Sequence, residues 1–104
     1  MGRHAAASQA LPPQVAAALE GLGADLRIAR HRRHESLRAW AARMSVSVPT
    51  IQRMESGDAT VGMGVYATAL WLIGKSADLK GLADPAKDAQ ALSLEILKAD
   101  RRRK

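Results

Sequence analysis

The 104-residue chain has no cysteine and no phenylalanine, and only three aromatic residues, Trp40, Tyr66 and Trp71. Without cysteine there are no disulfides, no thiolate metal sites and no thiol catalysis, which suits a reducing cytosol. No window reaches the apolar length of a transmembrane helix. The first residues, Arg3 and His4 followed by three alanines, lack the apolar run of a signal peptide. A cytoplasmic chain without membrane contact is therefore expected. Gly-rich phosphate loops, paired carboxylates and nucleophile–base motifs are missing too. Gly62 and Gly64 form no GxGxxG and follow no strand pattern. Neither an enzyme nor a cofactor is expected.

What the chain does have is alanine and arginine. Alanine loses no side-chain entropy in a helix, so an alanine-rich, 47% hydrophobic composition favours small interlocking helices over a sheet. The net charge of +6 is unevenly placed. Residues 27–53 hold seven arginines (27, 30, 32, 33, 38, 43 and 53) against one acid, Glu35, for a local +6. The terminal "RRRK" adds +4, while residues 57–100 hold four lysines and six acids, net −2. Concentrated arginine is the electrostatic footprint of a polyanion partner, although a solvated helix face would look the same.

The spacing predicts an all-α fold. Residues 1–18 read as a flexible lead-in, 19–83 as the main domain and 84–104 as a C-terminal helix with a basic tail. Pro12-Pro13 can open a helix. Leu19, Leu22, Leu26 and Ala29 share one face, but Gly21 and Gly23 weaken this segment and place its firm start nearer Leu22. Ser36 is a candidate N-cap for a short helix carrying Leu37, Trp40, Ala41 and Met44 inward. Ser47 caps the next, with Ile51 and Met54 inward and Gly57-Asp58 as its stop. Met63, Tyr66, Ala67, Leu70 and Ile73 form an apolar stripe, read as core, that ends at Gly74. Trp71 and Leu72 lie partly off it, as further core or a dimer interface. Leu79, Leu82 and Ala83 mark a fifth helix. Asp84-Pro85 is read as the cap of a sixth running to about Lys98, with "DRRRK" frayed beyond it.

Two short helices joined by the three-residue turn Ser45-Val46-Ser47 describe a helix-turn-helix. Its first helix crosses the DNA backbone while the second inserts its N-terminal residues into the major groove. Short-turned helical hairpins are common, so the pattern alone is weak. The arginines over the same residues strengthen it.

Residues 22–74, "LGADLRIARHRRHESLRAWAARMSVSVPTIQRMESGDATVGMGVYATALWLIG", resemble the five-helix Xre/Cro-type helix-turn-helix domain of phage and bacterial repressors. Leu26, Arg30, Ser36, Ala41, Val46, Ser47, Ile51, Arg53, Glu55 and Gly57 carry the match in register. The resemblance implies a small five-helix repressor-like bundle, to which the Asp84-Pro85 signal adds a C-terminal helix. It also implies a structural ion pair between Arg30 and Glu55, and a phosphate at the amide end of the second helix, at Ser36 and Leu37. Base-edge contacts fall on Val48, Pro49, Gln52 and Arg53, with Ser47 and Thr50 near phosphate or base. Arg38 and Arg43 belong to the arginines that attract phosphate.

The chain departs from the pattern at three positions. Leu37 stands where the family has glutamine, which removes a side-chain phosphate contact. Trp40 replaces a leucine and asks for a roomier core. Ser45 replaces the turn glycine at a position that favours positive φ, at about 1 kcal/mol. The following "GDATVGMGVYATALWLIG" and "LKGLADPAKDAQALSLE" look like the antitoxins that accompany HipA-like kinase toxins. That similarity implies a homodimer that represses its own operon from a palindromic double-stranded DNA operator and binds the kinase. A stand-alone phage-like regulator, or a module that mainly restrains a kinase, are the alternatives. His31 and His34 have metal-binding spacing but no third ligand nearby, and read as solvated histidines in a basic patch. "RRRK" fits a solubilising end, a phosphate-following tail or a contact with an acidic toxin surface.

Overall fold

The computed structural model describes residues 10–103. The described residues are all-α, with six α-helices, one 3₁₀ turn and no strand. The helices are α1 (Pro13–Arg32), α2 (Leu37–Met44), α3 (Val48–Glu55), α4 (Met63–Leu72), α5 (Ser76–Lys80) and α6 (Ala89–Arg103). Helix α1 packs on α3, α2 on both α3 and α4, and α4 on α5. Leu26, Trp40, Ile51 and Met54 are almost wholly buried and form the centre of the core, with Ala41, Met44, Val61, Tyr66 and Ala69 around them. Trp40 sits within this core, and its indole Nε1 has no partner within hydrogen-bond geometry among the described residues.

Helix α1 opens at Pro13, the earlier of the two starts the sequence allows, so residues 13–18 are helical. The N-terminal nine residues lie outside the described set, and so does that part of the expected lead-in. The two glycines of α1 differ in role. A Cβ on Gly21 would meet nothing within 4 Å. One on Gly23 would lie 2.5 Å from the Met54 carbonyl oxygen and 2.7 Å from that of Glu55. Gly23 is where α1 passes against the backbone at the end of α3, so what reads as a weak point is a crossing point. Gly57 closes α3 at φ 78° and packs against the Leu19 and Glu20 backbone. Only glycine meets both demands cheaply.

The second half departs further from expectation. In α4 the buried residues are Tyr66 and Ala69, whereas Met63, at the head of the expected core stripe, is 71% exposed. Helix α4 packs chiefly on α2 and α5, so Met63 and Ala67 line an open groove. Leu70 and Ile73 are half-buried and pack partly against the core, and Leu70 also borders the groove. Trp71 is 63% exposed, and Leu72 is half-buried against the core. Helix α5 ends at Lys80, before Leu82, which is 77% exposed.

Asp84 starts only the 3₁₀ turn Pro85–Lys87, its Oδ1 accepting from the Ala86 amide at 2.9 Å. A second cap, Asp88 accepting from the Ala91 amide at 3.0 Å, starts α6 four residues later than the Asp84-Pro85 signal suggests. The expected frayed tail is helical through Arg103. No glycine or proline interrupts it, and cations suit the negative end of the helix dipole. No helix of the described residues is long and apolar enough to cross a membrane.

Candidate nucleic-acid interface

The hairpin α2–α3 is built by two serine caps and one left-handed residue. Ser36 Oγ accepts from the Ala39 amide at 3.0 Å and starts α2. Helix geometry leaves the first amides of α2 without intrahelical acceptors, so the Leu37 and Arg38 N–H groups point outward at its positive end. Ser45 ends α2 at φ 57°, ψ 41°, a left-handed conformation that glycine adopts freely. Its amide and that of Val46 return to the α2 carbonyls, Val46 to Ala41 at 3.0 Å. Ser47 then caps α3, its Oγ 3.2 Å from the Thr50 amide nitrogen and 2.9 Å from Thr50 Oγ1. Pro49 falls in the first turn, where an N–H has no acceptor to lose.

Helical spacing sorts the α3 side chains. Ile51 and Met54 point into the core and are fully buried. Pro49, Gln52 and Arg53 are exposed, and spacings of three and four residues put them on one outward face. Ser56, exposed just past the helix, continues this face, and its hydroxyl donates to the Arg53 carbonyl at 2.8 Å. Val48 and Thr50 flank the face and are half-buried. Val48 packs partly against the core, as does Leu37 on α2, so the apolar start of α3 serves packing as well as presenting a surface.

An ion pair beneath the face fixes α3 to α1. Arg30 Nε is 2.8 Å from Glu55 Oε2 and its Nη2 is 3.0 Å from Oε1, a bidentate pair. Its Nη1 donates to the Glu35 carbonyl at 3.0 Å, so all three guanidinium nitrogens are used. The side chains are 7% and 6% exposed. The hydrogen bond to Glu55 holds the guanidinium pKa above its ordinary value against the opposing effect of burial. Above the pair lies a small notch of about 270 Å³, bordered by Arg27, Leu37, Gln52 and Ser56.

The arginines divide into engaged and available. Arg43 Nη1 contacts both Glu35 carboxylate oxygens, at 2.8 and 2.7 Å. The Arg43 hydrogen bond is the main reason the Glu35 carboxyl sits below the ordinary glutamate range. Arg43 is thus paired with a carboxylate in this structure, on an exposed surface, in addition to the phosphate attraction expected of it from the sequence. Arg27, Arg38 and Arg53 are exposed and have no ion-pair partner among the described residues. Ser36 and Ser47 are exposed as well.

The structure therefore brings the cap Ser47 together with Pro49, Thr50, Gln52 and Arg53 of α3, with Ser36, Leu37 and Arg38 at the neighbouring helix start. Sequence reasoning did not single out Ser56 or the Arg27 border of the notch. Ser56 is four residues after Gln52, a spacing that points to the same face. Arg27 had no local signal beyond its charge. Among the described residues no three His, Cys, Asp or Glu side chains cluster as a metal site. No family model, curated protein or solved structure matches the chain.

Proposed function

We propose that this protein is a sequence-specific DNA-binding repressor of the Xre/Cro helix-turn-helix type. The observation that carries this reading is the outward face of α3. Pro49, Gln52 and Arg53 stand clear of the core beside a serine-capped helix start, with Arg27 and Arg38 uncommitted. A single α-helix fits the major groove, where arginine pairs best with guanine O6 and N7 and glutamine with adenine. Val48 and Pro49 meet thymine methyls, the apolar groups on that edge. Ser36 and the Leu37 and Arg38 amides take a phosphate. Two copies bind a palindromic operator with half-sites one helical turn apart.

Within this reading the protein is the antitoxin of an operon encoding a HipA-like kinase toxin, which it also binds. It works at the nucleoid in the bacterial cytoplasm. The support is the likeness of residues 57–74 and 79–95 to that antitoxin group. The exposed Trp71 also favours a protein partner, and keeps the kinase-restraining module as the second reading.

The decisive experiment is a footprint on the DNA upstream of the gene, with co-purification of the neighbouring gene product in parallel. Two protected half-sites about 34–36 Å apart are expected. Equal affinity for operator and random DNA across salt concentrations would falsify the repressor reading. Operator binding without a co-purifying kinase leaves a stand-alone phage-like regulator.

A further inference from the structure

Helix α6 has no extensive packing against the rest of the chain, yet it carries Leu92, Leu94, Ile96 and Leu97, each 45–63% exposed. At 100° per residue these fall on two sides of the helix. Leu92, Ile96 and Ala99 form one stripe at spacings of four and three, and Leu94 and Leu97 form a second on nearly the opposite side. Polar residues separate them, Ser93 and Asp100 along one border, Glu95 and Lys98 along the other.

The body of the protein has a matching deficit. An open groove of about 560 Å³ runs between the start of α1, α4 and α5. Leu19, Leu22, Met63, Leu70, Leu79 and Leu82 contribute to its apolar wall, and its charged groups are Lys75 and Asp78. Met63 and Leu82, at 71% and 77%, are the most exposed large apolar side chains among the described residues. The molecule is also elongated for its size. Its radius of gyration is 18.3 Å, against about 13 Å for a compact chain of this length.

We infer that α6 of one copy lies in the apolar groove of a second copy, reciprocally, to form a two-fold dimer. A groove of the same chain covers one side of α6 and leaves the opposite stripe in water. A dimer supplies two covers, the partner's groove for one stripe and the partner's α6, near the two-fold axis, for the other. The groove carries one charge of each sign, Lys75 and Asp78, as does the Glu95 and Lys98 border of the helix, so opposite charges can pair across the rim. One helix in one groove falls short of the roughly 1,200–2,000 Å² that stable interfaces bury, and two-fold symmetry doubles the contact. This inference rests on the C-terminal half and not on DNA recognition, although it would supply the two-fold partner an operator needs.

The test is the mass of the full chain by light scattering, without DNA, at roughly 100 µM, well above a micromolar dissociation constant. Twice the 11.1 kDa monomer mass is expected. Met63→Glu with Leu82→Glu in the groove, and separately Ile96→Glu in α6, should each give monomers. Helicity and a cooperative melt report that each variant still folds, since all three side chains are exposed. A monomeric wild type overturns the inference, as does a species that grows without closing at two copies. A dimer abolished by only one of the two sets of changes overturns the groove–helix pairing. Because no DNA is present, a monomer here leaves the operator footprint to be judged separately.

Discussion

Arg30 and Glu55 are 25 residues apart in the chain and 2.8 Å apart in space, the guanidinium of α1 closing on the carboxylate at the last residue of α3. The pair holds the proposed reading helix at a fixed angle to α1. Removing one partner leaves a buried charge without compensation. Glu55→Ala or Arg30→Ala should therefore cost about 3–5 kcal/mol in urea unfolding. The double change Arg30→Met, Glu55→Leu should cost clearly less than either single change. Two small, additive losses would show that the pair contributes little.

Gly21 and Gly23 give opposite predictions from the same helix. Gly21→Ala meets nothing and should stabilise by about 0.5–1 kcal/mol through helix propensity. Gly23→Ala drives a methyl group into the Met54 and Glu55 carbonyls, which are backbone and cannot swing aside. A loss of about 1–3 kcal/mol is expected, with α1 pushed away from α3. Thermal melts of the two variants decide the matter. Shifts of the same sign would contradict the close crossing.

Arg53→Ala should lose about 1–3 kcal/mol on the operator and relax preference at one base pair. Arg38→Ala should instead weaken all DNA alike and shallow the salt dependence by about one counterion. Binding titrations on operator and scrambled duplexes at several salt concentrations separate the two roles. An equal loss on both duplexes for Arg53→Ala removes it as a base reader.

Glu35 occupies Arg43 at 2.7 Å, so Glu35→Gln should release that guanidinium to phosphate. Stronger binding to every sequence is expected, with a salt slope steeper by about one counterion. The pairing should persist into acid. The folded carboxyl titrates below its unfolded value, so its contribution is present above the unfolded pKa and lost as pH falls through the folded one. An unchanged salt slope in Glu35→Gln would mean that Arg43 faces away from the DNA.

Tyr66 sets an alkaline limit. Its hydroxyl donates to the Asp58 carbonyl at 2.8 Å, and burial, helped by the Asp58 charge, raises its pKa. The native state therefore keeps its proton where the unfolded chain has begun to lose it. Stability from this group is complete below the unfolded value, about 10, and declines as pH rises through the folded one. Tyr66→Phe should cost about 1 kcal/mol near neutrality and flatten the alkaline decline. A decline of the same slope in the variant would assign it to another group.

The first half of the fold was legible because its information is local. Ser36 and Ser47 cap the helices they precede, Ser45 takes the positive φ expected of its turn, and Trp40, Ile51 and Met54 are buried where helical spacing puts them. These outcomes depend on neighbours within one turn, and so can be read from spacing and side-chain chemistry. Tertiary structure alone decided what depends on distant partners. Gly23 looked like a defect until the end of α3 was found against it. Arg43 counted only as one of several basic residues until the fold set Glu35 beside it. The stripe on α4 is apolar by sequence, but whether it is core depends on which helices cover it, and α2 and α5 leave Met63 in the open. Periodicity fixes which residues share a face. Only the arrangement of other elements fixes what that face meets.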